Sequence, residues 1–314
     1  MKKELCNMYG VSGYEMDVAK VIYESIKNTR HDMLKIDNVG NVILMRKGLS
    51  GKKKILISVH MDEVGFQVIS KISEYRYKIK PIGSIKTWNA FNQRVESNKS
   101  IGVIRSYNEE NLRAYNYENV YLELLNEDNA EIGDVFCFEK NFKETKNEYC
   151  GKALDNRLAC FLLIEAIKED FTTDSDIYYA FTTQEEFSMK GIRVLKTSIM
   201  PDYFINIDVS PECDMNSIKT SNGVGIKISD SMSISSLELV EWLKKIAIDQ
   251  DIIFQNEVSD CGTSELIITN ELDYGTKEVG ISIPCKYLHC ANSVVNKNDL
   301  IETQKLIYGI LKKL

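Results

Sequence analysis

Basic residues are in deficit in this chain. Lys and Arg number 39 against 46 Asp and Glu, for a net charge of −7 and a pI near 5.3. Without a basic face to displace counterions from a phosphate backbone, nucleic acid is excluded as a partner. No stretch approaches the roughly 20 apolar residues that span a bilayer, and no apolar run follows Met1-Lys-Lys-Glu. No membrane association and a cytoplasmic location are therefore expected. The eight cysteines contain no Cys-x-x-Cys pair, so they are expected to be reduced, small core or surface thiols. Internal repeats and low-complexity tracts are lacking too. Histidine is scarcest among the residues that carry chemistry, with three in 314 positions. The remainder, 44% hydrophobic and 27% charged, is an ordinary globular composition with enough length for a sizeable core.

Element patterns divide the chain. Ser12-Gly-Tyr-Glu15 matches a capping box before a helical stripe of Val18, Val21, Ile22 and Ile26. A strand pair is expected around Asn38-Val-Gly-Asn41, and Ile55 to Val59 reads as a buried parallel strand. From Gly65 to about Tyr149 short alternating segments replace any helical period, which predicts an inserted all-β domain over residues 66–145. From Leu154 helix and strand alternate again, ending with Asp299-x-x-Glu302 as a cap for a last helix. The expected fold class is α/β: a mostly parallel sheet covered by helices on both faces, formed by residues 1–65 and 146–314, with the β domain inserted.

The chemistry centres on Asp176-Ile-Tyr-Tyr-Ala-Phe-Thr-Thr-Gln-Glu185-Glu186. A strand interior would turn one of two adjacent acids into the core, so Glu185 and Glu186 belong just past a strand's end, where ligands bind in open α/β sheets. His60 follows one apolar run, Asp208 another and His289 a third, while Asp155 opens a helix. Each has a plain alternative: a core histidine, a turn acid, a helix N-cap, a solvated loop pair. Their joint placement is what those alternatives leave unexplained, since two of the three histidines fall in this set. His31, beside Arg30 and Asp32, has no such claim. Asp62 stands two residues after His60, as befits the carboxylate to which a metal-bound imidazole donates its other N–H. Two histidines with three carboxylates are the inventory of a two-metal hydrolytic centre. A further free glutamate would take the proton from a bridging water. Mixed nitrogen and oxygen donors favour Zn²⁺, Co²⁺ or Mn²⁺ over Ca²⁺.

The runs His60-Met-Asp-Glu-Val-Gly65, Lys152-Ala-Leu-Asp155-Asn-Arg157, Gln184-Glu-Glu186, Ile207-Asp208-Val209 and Tyr287-Leu-His289 resemble the M42 family of co-catalytic metallo-aminopeptidases, over almost the whole chain. The resemblance implies two divalent ions, most simply zinc or cobalt. It places one ion on His60, Asp155 and Asp208 and the other on Asp155, Glu186 and His289, with Glu185 as general base and Asp62 orienting His60. It further implies removal of N-terminal residues from short peptides and assembly as a homo-oligomer, commonly a hollow dodecamer. The chain departs from the family pattern in three places. Cys261-Gly-Thr-Ser264-Glu265 stands for Gly-Gly-Thr-Asp-Ala, His289 is followed by Cys-Ala-Asn-Ser, and Pro81 to Val95 is altered. These departures bear on substrate choice.

Two other readings compete. A glycosidase would use the acids as a carboxyl pair, but that requirement says nothing of the histidines. A non-catalytic peptide-binding or assembly homologue would account for the altered loop, and Glu185 counts against it.

Overall fold

The computed structural model describes residues 1–113, 115–126, 129–270 and 275–314. Its larger sheet is built around four parallel strands: Asp176–Thr182, Lys54–His60, Tyr203–Pro211 and Lys277–Lys286, side by side in that order. The apolar runs that the sequence offers as strands are these, and they are continuous because both of their faces are buried. Antiparallel strands extend the sheet. On one side are Val42–Arg46 and Met33–Ile36, joined through the Asn38-Val-Gly-Asn41 turn. On the other are Ser293–Asn296, Glu148–Gly151 and Lys143–Glu144.

Alternate residues of one strand enter two different cores, as the two-residue pleat requires. Ile55, Ile57 and Val59 pack with Leu158, Leu162 and Ala166 of the helix Leu154–Lys168 and with Leu306 and Ile310 of the helix Lys297–Leu311. Leu56 packs instead with Ala180, Phe204 and the residues Ile192, Leu195 and Ile199 of the helix Lys190–Ile199.

Between Gly65 and Phe138 six strands close into a barrel, Gly65–Lys71, Arg76–Ile82, Val120–Leu124, Ile101–Ser106, Arg94–Glu96 and Val135–Phe138 in order around it. It has its own core of Phe66, Tyr77, Ile79, Val95, Ile104, Leu122 and Phe138, with Phe66 and Phe138 edge to face at 5.4 Å. Residues 114, 127 and 128 of the span read as an all-β insert lie outside the described residues. No helix among the described residues is long and apolar enough to cross a membrane.

Two expected caps are used otherwise. Ser12 and Glu15 make no cap for the helix Met16–Ile26: Ser12 Oγ donates to Asp62 Oδ2 at 2.5 Å, and Glu15 Oε1 accepts from Gly13 N at 2.8 Å and Gln184 N at 2.9 Å. The last helix begins at Lys297 on an Asn296 cap, while Asp299 accepts from the backbone N–H groups of Ser221 and Gly223. The same residue chemistry that caps a helix can join distant segments, and sequence spacing does not separate the two uses.

Candidate metal centre

Strand register brings the donors together. Thr182 is opposite His60 and Asn206 opposite Ser58, so Asp208, two residues past Asn206, stands level with His60 on the same face. The Tyr203–Pro211 strand runs on past Asp208 against Lys277–Lys286, so this acid lies inside a strand. Past Thr182 the chain turns through Gln184 at φ 55°, and Glu185 and Glu186 open a short helix, Glu185–Ser188. His289 lies in the turn after Lys277–Lys286, itself at φ 55°. Ala153, at φ 51°, precedes the helix carrying Asp155. Left-handed backbone at three residues without the freedom of glycine costs roughly 1–2 kcal/mol each, and here it gathers around the donors.

Asp155 is the hinge of the geometry. Its Oδ1 lies 3.1 Å from His60 Nε2 and its Oδ2 3.2 Å from His289 Nε2. His60 Nε2 is also 3.4 Å from Asp208 Oδ1, and His289 Nε2 is 3.0 Å from Glu186 Oε1. Two donor groups result, His60 with Asp155 and Asp208, and Asp155 with Glu186 and His289. In each the ligand atoms lie within 4.8 Å of one another. Glu185 belongs to neither; its Oε2 is 4.0 Å from His60 Nε2.

Buried polar contacts surround the donors. Asp62, fully buried, accepts from Ser12 Oγ and from the backbone N–H groups of Glu185 and Glu186, and its Oδ1 lies 3.3 Å from His60 Nδ1, off the line of a hydrogen bond. His289 Nδ1 is 3.0 Å from the carbonyl of Ser84, so an N–H there leaves Nε2 free to face Asp155. Ser84 follows Gly83, at φ 80°, where a Cβ would come within 2.6 Å of Val64. Around Asp155, Asn156 donates to the Ile207 carbonyl at 2.9 Å, Lys152 Nζ grips both oxygens of Glu63 at 2.7 and 2.8 Å, and Arg157 donates to the carbonyls of Met61, Leu5 and Gly10. Sequence reasoning missed the roles of Ser12, Glu15, Glu63, Lys152 and Glu265: the first two stand in an apparent capping box, Glu63 and Lys152 in the runs around His60 and Asp155, and Glu265 in the altered loop, and none of these settings names a partner.

Burial opposes charge throughout this cluster. It would lower His60, but the carboxylates of Glu185 and Asp208 outweigh it and hold the imidazole well above its ordinary range. His289 is raised in the same way against burial, by Glu186 and Asp155. Burial would raise Asp155, yet its bonds to His289 and His60 leave it below the usual carboxylate range. Glu185 is pushed well up, by burial first and by Asp208 and Glu186 beyond what His60 offsets. Glu186 and Asp208 are raised as well, by burial. Packed carboxylates of this kind call for a cation, and the buried Glu186 Oε1 has no hydrogen-bond partner. Divalent metal would replace the imidazole protons, so the residues fit such an ion. A cleft of about 550 Å³ on the barrel, lined by Lys78, Lys80, Arg113 and Tyr117, shares no residue with the donor groups.

Nitrogen and oxygen donors in two groups sharing one carboxylate, gathered over one edge of a parallel sheet, are the equipment of a metal-dependent hydrolase. The profile of the M42 glutamyl aminopeptidase family matches residues 40–306, and the chain belongs to that family: it is a peptide-bond hydrolase. A curated relative from Acetivibrio thermocellus is 30% identical over 318 residues, spanning 97% of this chain and 96% of its own. Among solved structures, an aminopeptidase of the archaeon Desulfurococcus kamchatkensis superposes with a TM-score of 0.92 at 26% identity, over 100% of this chain and 94% of its own. The Pyrococcus horikoshii TET1 peptidase, which can assemble into a tetrahedron or a large octahedral shell, does so with a TM-score of 0.87 at 25% identity, over 99% and 98%.

Proposed function

We propose that this protein is a dinuclear metallo-aminopeptidase acting on the N-terminal residues of short peptides. The observation that carries the reading is Asp155, whose two oxygens face His60 at 3.1 Å and His289 at 3.2 Å, one into each donor group. His60, Asp155 and Asp208 would hold one ion, and Asp155, Glu186 and His289 the other, with zinc or cobalt suited to the donors. Such ions polarise a carbonyl and bring the pKa of a bound water to about 7.

Glu185 supplies the proton transfer. Its backbone N–H is pinned to Asp62 at 3.0 Å, and its carboxyl lies beside His60 but outside both donor groups, which leaves it free to exchange a proton. It takes a proton from the attacking water and returns it to the departing amine nitrogen. Asp62 orients His60 while anchoring both glutamates through their backbone. Residues 66–145 act as a separate domain that serves assembly and access to the centre, since Ser84 reaches His289 from that segment. The assembly is a homo-oligomer, as in the TET relative, and the location cytoplasmic.

Metal content measured together with a panel of aminoacyl anilides, with and without added Co²⁺ or Zn²⁺, tests the reading. Two ions per subunit and metal-dependent release of the aniline are expected. Cleavage of cellulose derivatives without anilide cleavage would refute it.

A further inference from the structure

One buried acid is used by none of the above. Glu265 opens the turn Glu265–Asn270, has no solvent exposure, and carries its carboxyl into the layer directly beneath the donors. Oε1 accepts from Thr182 Oγ1 at 2.5 Å; Oε2 accepts from Ser58 Oγ at 2.5 Å and from Asn206 Nδ2 at 3.2 Å. These partners come from three adjacent parallel strands. Ser58 is two residues before His60, Asn206 two before Asp208, and Thr182 is opposite His60 and three before Glu185. By the pleat, Ser58 and Asn206 share a sheet face with the donors that follow them.

A carboxyl spanning three neighbouring strands fixes their height relative to one another. The donors above depend on that height, because a metal ligand must be held to within a few tenths of an ångström. Nothing else among the described hydrogen bonds ties side chains of all three strands to one group. Burial raises the carboxyl to about 7, and the neighbouring charge of Asp208 adds to the effect while the Ser58 and Thr182 bonds oppose it. A group kept buried against that penalty has a use there. Glu265 directly follows the loop Cys261-Gly-Thr-Ser264. The loop is held at its other side by Ser264 Oγ, which donates to Asp230 at 2.9 Å.

We propose that Glu265 is a positioning residue of the metal centre, clamping the strands that deliver His60, Asp208 and the Glu185–Glu186 pair. The proposal rests on the metal reading above, and the test separates the two. Zn²⁺ affinity is measured by chelator competition on the full chain, together with kcat, KM and the Tm of the metal-free protein, for wild type, Glu265→Ala, Glu265→Gln and Thr182→Val. Outer partners of metal ligands are typically worth 10–100-fold in affinity or activity, so Glu265→Ala should weaken Zn²⁺ binding by that factor and lower kcat more than it raises KM. Glu265→Gln, which keeps the size and can keep bonds to all three strands, should recover most of the loss. Thr182→Val, which removes one bond at constant volume, should show a smaller loss and keeps the test open should Glu265→Ala fold poorly. Affinity and kcat within about threefold of wild type in Glu265→Ala, with only Tm lowered, would overturn the proposal and leave the metal reading standing. Failure of the wild type itself to bind Zn²⁺ would overturn both.

Discussion

Replacing Glu185 by Gln separates proton transfer from metal binding. The side chain is 8% exposed and stands outside both donor groups, and its backbone N–H to Asp62 does not depend on the carboxyl. Gln keeps the size and one acceptor oxygen, so the short helix Glu185–Ser188 and the anchoring of Glu186 should persist. What is lost is a group able to accept a proton. General acid–base assistance is worth about 10²–10⁴-fold, which corresponds to roughly 2.7–5.4 kcal/mol of transition-state stabilisation at about 1.36 kcal/mol per factor of ten. The charge of Glu185 also helps raise His60, so its removal lowers that imidazole and eases the competition of protons with metal. Metal content and KM should therefore stay at wild-type values while kcat on an aminoacyl anilide falls by two to four orders of magnitude. The assay pairs initial rates with elemental analysis of the same dialysed sample. Metal lost in step with activity would make Glu185 a ligand, and undiminished kcat would remove it from the mechanism.

Three further outcomes are expected. Asp155→Ala should release both ions together, because its oxygens face both histidines, whereas His289→Ala should release one; elemental analysis of the dialysed variants checks this. Lys152→Met should cost roughly 3 kcal/mol in urea unfolding, since it leaves Glu63 buried with only the more distant Arg157, at 3.9 Å, and adding Glu63→Gln should restore most of the loss. Glu15 gives a pH dependence whose sign is fixed. Burial, with the charge of Asp62, raises its carboxyl to about 7 against 4.5 for the free group, so between those values the folded chain holds a proton that the unfolded chain has released. Its contribution to stability thus falls as pH rises from about 4.5 to 7 and is level above. Glu15→Gln should match wild type at pH 4 and exceed it at pH 8 by up to about 3 kcal/mol, as 2.5 pKa units at 1.36 each imply; equal unfolding curves at pH 8 would contradict the assignment.

The strands were legible in the sequence, and so were the histidines and carboxylates that stand near their ends. The apolar run Ile55–Val59 leads directly to His60, and Glu185 and Glu186 follow just beyond Asp176–Thr182, because charged side chains collect where the apolar faces of a sheet run out. The change of texture at Gly65 is legible for a similar reason, since a barrel with its own core imposes a two-residue period. Which oxygen faces which nitrogen came from folding alone, because register between strands 122 to 148 residues apart is set by pairing across the sheet and leaves no local mark. It also turned Ser12 and Glu15 from an apparent helix cap into supports for Asp62 and Gln184. Glu265 shows the limit most plainly. In the sequence it is an acid in an altered loop, and only folding carries it beneath three strands, where Ser58, Thr182 and Asn206 meet on its carboxyl. A side chain's chemistry is written in its type, but its partners are chosen by long-range packing.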